Sequence, residues 1–192
     1  MMKEKIYIVI LATMLWMATG CTPVGSSSRS SMPREYHSAY LQSHGRCYDY
    51  TPYNVFSLDL YAGDLNLNEE KNMMEGTGYN LFLSDIFLTG NTLETGTYTA
   101  IPVDSLSSPT YQIPPFSFLP GRDYEGTPHG IYLLYMEESK LKDIQVLDSG
   151  TLVVRDTTNA MLDLQFTLYF QNSYGGRATY RSHFQGVLTP AP

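Results

Sequence analysis

The chain has 192 residues, of which 43% are hydrophobic, with 16 Tyr and 8 Phe among them. This length and composition fit one globular domain with a tail, large enough to bury a core without disulfides, metal ions or a cofactor. The net charge of −7 and the lack of any Lys and Arg cluster exclude nucleic acid as an expected partner, because phosphate binding needs clustered basic side chains.

The first twenty residues have the order of an export signal. Two lysines, a twelve-residue apolar run and three small residues precede Cys21: Lys3 and Lys5, Ile6 to Met17, and Ala18 to Gly20. A run this short does not span a bilayer, which takes about 20 apolar residues. The stretch resembles the bacterial lipobox, although Ala18 stands where Leu is usual. The resemblance implies that residues 1–20 are a lipoprotein signal peptide and that Cys21 is the lipidated first residue of the mature protein.

The segment after Cys21 is small and polar. Thr22 to Met32 reads TPVGSSSRSSM and has no apolar period, so we expect a flexible lipidated tether over residues 21–33 and one β-domain over residues 34–192. The membrane, reached through the lipid anchor, is then a partner, and we expect an outer-membrane lipoprotein of the cell envelope. A run of acidic residues after Cys21 would resemble a surface-export signal, and the sequence has no such run. The sequence therefore does not decide whether the domain faces the periplasm or the outside of the cell.

The folded part alternates with a period of two. Leu162 to Phe170 and Ala178 to Leu188 both place apolar residues at even positions, as half-buried strands do. Even positions must therefore face each other across the hairpin that joins these strands. A three-residue loop ending at Gly176 predicts that Phe170 lies opposite Tyr180 and that Phe166 lies opposite Phe184.

Further strands are expected along the chain. They are Tyr36–Gln42, Val55–Ala62, Tyr79–Leu88, Thr97–Ile101, Ile131–Met136, Asp143–Leu147 and Thr151–Arg155. About nine strands and no helical stripe predict an all-β fold, either an antiparallel two-sheet β-sandwich or a calycin-like closed β-barrel. The stretch 102–128, with six prolines, is expected to be a long excursion without regular sheet.

Four short motifs carry a resemblance to a family. They are Gly76-Thr77-Gly78, Gly96-Thr97-Tyr98-Thr99, Gly150-Thr151-Leu152-Val153-Val154 and Phe184-Gln185-Gly186-Val187-Leu188. The chain in this respect resembles the β-rich lipoproteins of Bacteroides-type bacteria, whose members have no assigned activity. Because these motifs are made of turn and core residues, the resemblance implies a β-sandwich fold and no catalytic residue.

No residue pattern predicts a catalytic or metal site. His44 and Cys47 have an H-x-x-C spacing, with His37 nearby, but a zinc site needs a third or fourth ligand. If Cys21 carries lipid, Cys47 has no partner for a disulfide, and we expect it to be buried, as free cysteines usually are. Asp85 interrupts an apolar run, which predicts a bulge or a carboxylate hydrogen-bonded to backbone, or else a polar group in a cavity.

Aromatic residues in the Pro-rich stretch are the candidate ligand-binding residues. They are Tyr111, Phe116, Phe118 and Tyr124. Rings on a stiff loop can stack on sugar faces, although loop aromatics can also plug the open end of a β-sandwich.

Four roles follow for the domain. The first is a non-enzymatic binding or assembly module that contacts a glycan or an envelope protein. The second is a glycan hydrolase with two close carboxylates, drawn from residues that include Asp59 and Asp85. The third is a pilus or adhesin accessory subunit with an unpaired edge strand. The fourth is a carrier, which needs a closed barrel with an apolar cavity.

Overall fold

Alternating apolar residues produce strands along the chain, as the sequence predicts. The computed structural model describes residues 31–49, 51–107, 110–124, 127–157, 161–171 and 176–191, and the statements below concern these residues. From Met32 onward they belong to a compact unit over Met32–Pro192. The expected signal peptide and most of the expected tether, Cys21 included, lie outside the described residues.

The described residues form sixteen strands and one 3-10 helix but no α-helix. The strands are β1 Glu35–Tyr36, β2 Ser38–Gly45, β3 Asn54–Gly63, β4 Asn66–Asn68, β5 Met73–Glu75, β6 Gly78–Leu88, β7 Gly96–Ala100, β8 Ser117–Phe118, β9 Arg122–Tyr124, β10 Thr127–His129, β11 Ile131–Glu137, β12 Lys140–Val146, β13 Ser149–Asp156, β14 Leu162–Gln171, β15 Arg177–Gly186 and β16 Thr189–Pro190. The 3-10 helix covers Val103–Ser107. The prediction of an all-β fold is confirmed.

Twelve of the strands form one large, curled sheet, a half-barrel. Its order is β1-β15-β14-β13-β7-β8-β6-β3-β2-β16, and β11 joins β6 on the side that also carries β8, with β12 beyond β11. Two small hairpins, β4-β5 and β9-β10, stand apart from it. The nine-stranded, two-sheet sandwich is not confirmed, since the strands that would form its layers are hydrogen-bonded into one curled sheet.

The two ends of this strand order lie side by side. β1 pairs in parallel with β15, with Tyr36 opposite Phe184. After one intervening residue, β2 pairs with β3 on one side and with β16 on the other, where Tyr40 lies opposite Thr189. The first and last strands of the folded part therefore run together along one seam.

The hairpin of β14 and β15 confirms the predicted parity but not the predicted register. Tyr180 lies opposite Leu168, and Phe184 lies opposite Leu164. The predicted partners, Phe170 and Phe166, are each two residues away. The prediction was wrong in this step because a shift of two residues keeps every apolar side chain on the same face, so alternation fixes the parity alone.

The Pro-rich stretch contains more sheet than the sequence predicts. β8 lies inside it and occupies a place in the main sheet between β6 and β7. The absence of regular sheet was therefore a wrong expectation at Ser117 and Phe118. Neither residue is a proline, so both retain the backbone N–H that a strand needs.

The main core fills the inner face of the curled sheet. Its completely buried side chains come from β3, β6, β7, β8, β13 and β14, and include Leu58, Leu81, Tyr98, Phe118, Leu152 and Leu164. Two smaller apolar clusters lie elsewhere. One is centred on Val55 and Phe87, and the other on Tyr61, Leu65 and Met136.

Candidate functional site

The four aromatic residues expected to bind a ligand do not form one exposed platform. Phe118 is 0% exposed and belongs to the main core. Phe116 is half-buried and packs its ring against Tyr98, at 5.2 Å between centroids. Tyr111 is half-buried against the Val55 cluster. Tyr124 lies in β9, and its side chain is outside the described part of the structure.

The physical reason is the pairing of β8. Because Ser117 and Phe118 bond into the main sheet, the aromatic rings near them fill space in the core. The backbone amide of Phe116 donates to Phe87 O, and the amide of Thr99 donates to Phe116 O. The expectation of a ligand platform is therefore wrong at Phe118, whose ring lies in the main core, and the Phe116 ring packs against that core.

Cys47 is exposed, so the expectation that it is buried was wrong. Partial desolvation and the nearby Asp85 carboxylate raise the pKa of the Cys47 thiol. A raised pKa lowers the thiolate fraction, which is the opposite of what a nucleophilic cysteine needs.

All four histidines are exposed: His37, His44, His129 and His183. Among the described residues, no group of three or more His, Cys, Asp and Glu side chains could hold a metal ion. His44 Nε2 instead lies 3.1 Å from Ser57 Oγ on β3.

Asp85 lies at a bulge in β6, as one interpretation of the sequence predicts. Its φ is 51°, and the register between β3 and β6 shifts beside it. Its carboxylate accepts hydrogen bonds from the Tyr48 hydroxyl at 2.8 Å and from the Ser84 hydroxyl at 3.2 Å. Asp85 is thus a carboxylate satisfied within the protein.

The best candidate site is a row of four side chains on the sheet face opposite the main core. Tyr40 on β2 lies opposite Asp59 on β3, Asp59 lies opposite Phe82 on β6, and Phe82 lies opposite Tyr132 on β11. We call these four residues the Asp59 row. All four are half-buried, and the rings of Phe82 and Tyr132 stack at 4.9 Å between centroids with an angle of 34°. Directly opposed side chains on one face are neighbours in space, so aromatic side chains flank the carboxyl group on both sides.

The row lies between the two smaller apolar clusters. Along β3, the residues on this face are Val55, Ser57, Asp59 and Tyr61, and the first and last belong to the two clusters. The β4-β5 hairpin packs Leu67 and Met74 into the cluster around Tyr61. Tyr40 itself packs against the Tyr61 cluster, and all four side chains of the row keep part of their surface in solvent.

The Asp59 carboxyl is the most perturbed acidic group of the site. Burial raises the pKa of Asp59 to about 6, while a hydrogen bond from Asn80 opposes this shift. Asn80 is itself buried, and its amide donates to Asp59 Oδ1 at 3.1 Å and to Leu60 O at 3.3 Å. Burial, together with the Asp59 charge, raises the pKa of both Tyr61 and Tyr132, so both phenols stay neutral.

This arrangement can bind but has no complete catalytic set. A flat row of rings beside a carboxylate can hold a ligand by stacking, hydrogen bonding and charge. Ser57 and His44 are in contact, but Ser57 lies within β3 and is 4% exposed, which leaves little room for attack on a substrate.

Sequence reasoning found Asp59 among several carboxylates but missed Tyr40, Phe82 and Tyr132 as its neighbours. Each lies on a different strand, and only the register brings them together. The available signal was the alternation in β3, where Asp59 interrupts the apolar residues that Tyr61 and Val55 provide on the same face.

No family model matches the chain, and no curated protein or solved structure matches it. In the described part of the chain, no helical segment has the length and apolarity needed to cross a bilayer.

Proposed function

We propose that this protein is a non-enzymatic lipoprotein of the cell envelope, held at the outer membrane through Cys21, whose β-domain binds a ligand on the Asp59 row. The anchor rests on the order of Lys3, Lys5, the apolar run and the small residues before Cys21. The binding role rests on the geometry of the domain.

One observation carries the binding role. The Asp59 row combines a desolvated carboxyl, two stacked rings and a third aromatic side chain on one solvent-accessible face. Perturbed ionisable groups among aromatic side chains are enriched at binding sites.

We also propose that the curled sheet is a calycin-like closed barrel. The parallel pairs of β1 with β15 and of β2 with β16 support this, because they join the two ends of the strand order. In closed barrels generally, about eight strands give an interior just wide enough for side chains to fill. Completely buried residues such as Phe56, Leu83 and Phe166 occupy the inner face, which favours a surface site over an internal carrier cavity.

A glycan hydrolase is the second candidate function. The raised pKa of Asp59 favours it, because a carboxylic acid that stays protonated near neutral pH can serve as a general acid. A hydrolase also needs a second carboxylate, and the oxygens of Asp85 already accept bonds from Tyr48 and Ser84. The binding role therefore has the stronger support.

Glycan-array and pull-down binding by the full chain tests the proposed function. We expect a bound ligand to be lost in Phe82→Leu, which removes a ring of the row, and to be retained in Tyr111→Ala, which removes a ring of the Pro-rich stretch. Loss of binding in Tyr111→Ala with binding retained in Phe82→Leu would instead show that the ligand site lies in the Pro-rich stretch. Turnover of a bound glycan that depends on Asp59 would establish the hydrolase instead.

Mass spectrometry of the protein from its native membrane tests the anchor. We expect a mature N-terminus at Cys21 that carries diacylglycerol. An unmodified N-terminus at any other residue would contradict the anchor and leave the binding proposal standing.

A further inference from the structure

We propose that the ligand group bound on the Asp59 row is an alkylammonium cation, such as a primary or quaternary amine. The inference rests on the proposed function, because it names the chemistry of the ligand at that same site.

The first observation is an uncompensated carboxylate. Asp59 accepts a hydrogen bond from the neutral amide of Asn80, and none of the four ion pairs found among the described residues includes it. Those pairs join Lys71 to Glu75, Lys142 to Glu137, Arg155 to Asp163 and His183 to Glu35. A half-buried carboxylate without a cation is costly, so a positive ligand group gains more there than at an exposed carboxylate.

The second observation is the set of rings around this charge. Tyr40 and Phe82 flank Asp59 on the adjacent strands, and Tyr132 stacks on Phe82. Aromatic faces attract cations, at about 0.5–1 kcal/mol for an exposed ring and about 2 kcal/mol when the cation is desolvated. An alkylammonium group can use the rings and the carboxylate together.

The third observation is the charge of the surrounding groups. Burial and the Glu69 carboxylate, which hydrogen-bonds with Tyr40, both raise the pKa of Tyr40. Glu69 is therefore a second carboxylate, at the Tyr40 end of the row. Two carboxylates disfavour an anion, and they can accept hydrogen bonds from a neutral sugar, but a cation alone also gains the attraction of their charge.

The groups that face Asp59 also predict the effect of pH. Tyr61 and Tyr132 remain neutral over this range, because burial and the Asp59 charge raise the pKa of both phenols. Because burial raises the pKa of Asp59 to about 6, a proton competes with the cation at mildly acidic pH. Cation binding should therefore be strong at pH 7.5 and weak at pH 5.

Binding of choline and of its neutral isostere 3,3-dimethyl-1-butanol to the full chain provides the test. Titration calorimetry or ligand-observed NMR at pH 7.5 should show choline bound at least about tenfold more tightly than the isostere, equivalent to about 1.4 kcal/mol. Asp59→Asn, which keeps the shape of the side chain, should reduce choline affinity to that of the isostere. Asp64→Asn, which changes net charge equally at an exposed position, should leave choline affinity unchanged.

The outcomes separate this inference from the proposed function. Equal affinity for choline and the isostere, or unchanged choline affinity in Asp59→Asn, would overturn the alkylammonium inference. If choline does not bind but a neutral glycan binds and is lost in Phe82→Leu, the row is the binding site and the ligand class is wrong. If neither ligand binds the row, both proposals fail.

Discussion

Asp59 lies half-buried among aromatic side chains with a single neutral amide as its hydrogen-bond donor. Burial raises the pKa of this carboxyl to about 6, above the value that it has in an unfolded chain. The folded protein therefore binds a proton between about pH 4 and pH 6 that the unfolded chain does not bind. The stabilising effect of that proton is present at low pH and is lost as the pH rises through about 6.

Asp59→Asn should remove this pH dependence. The amide cannot ionise but can still accept the hydrogen bond from Asn80, so we expect the free energy of unfolding at pH 7.5 to increase by about 1–2 kcal/mol. At pH 4.5 the variant and the wild type should differ by a few tenths of a kcal/mol at most. Urea unfolding at both pH values measures this, with Asp64→Asn as the control. An equal pH dependence in Asp59→Asn and the wild type would show that Asp59 is not the titrating group.

At the scale of elements, β6 is the strand that changes its neighbour part-way along its length. Its first half pairs with β11, and after the bulge at Asp85 its second half pairs with β8. The Ser84 amide, beside the bulge, donates to Gly130 O at 3.1 Å and so holds the start of β11. The bulge therefore helps to position Tyr132, which lies two residues after Gly130.

Gly130 should tolerate no side chain. Its φ is +78°, and a Cβ atom there would lie 2.0 Å from Pro120 O, so the backbone must move. Gly45 has a similar φ of +63° but nothing within 4 Å of a Cβ atom. We expect Gly130→Ala to cost about 3 kcal/mol or more and Gly45→Ala about 1 kcal/mol, which is the penalty of the left-handed conformation alone. Urea unfolding of both variants provides the comparison, and equal losses would mean that the contact with Pro120 relaxes freely.

At the scale of the whole molecule, the seam between the first and last strands is the feature that organises the fold. A chain of hydroxyl groups crosses it. The Tyr180 hydroxyl donates to Pro33 O at 2.8 Å, so the buried Tyr36 hydroxyl, which contacts it, acts as donor to Tyr180. This chain of hydroxyl groups ties Pro33, close to the start of the folded unit, to β15.

Removing the two hydroxyl groups should have unequal effects. Tyr180→Phe leaves the Tyr36 hydroxyl, which is 2% exposed, without its acceptor and also frees Pro33 O, so we expect a loss of about 1–3 kcal/mol. Tyr36→Phe removes a donor and should cost less, about 1 kcal/mol. A double-mutant cycle by thermal and urea unfolding measures the coupling. Additive losses in the double variant would show that the two hydroxyl groups do not act as one chain.

The sequence by itself determined the all-β fold, most strand positions and the parity of the β14-β15 hairpin, because alternation of apolar and polar residues is a local pattern visible along each strand. The bulge at Asp85 was predictable for the same local reason, since a charged residue within an apolar strand indicates a bulge, but its Tyr48 and Ser84 hydroxyl partners were not. The tertiary structure alone decided the order of the strands, the two-residue step in the hairpin register, the burial of Phe118 and the exposure of Cys47. It also assembled the Asp59 row, whose members come from four strands. Neighbours across a sheet depend on the pairing of distant segments, and alternation along one strand carries no information about which strand lies beside it.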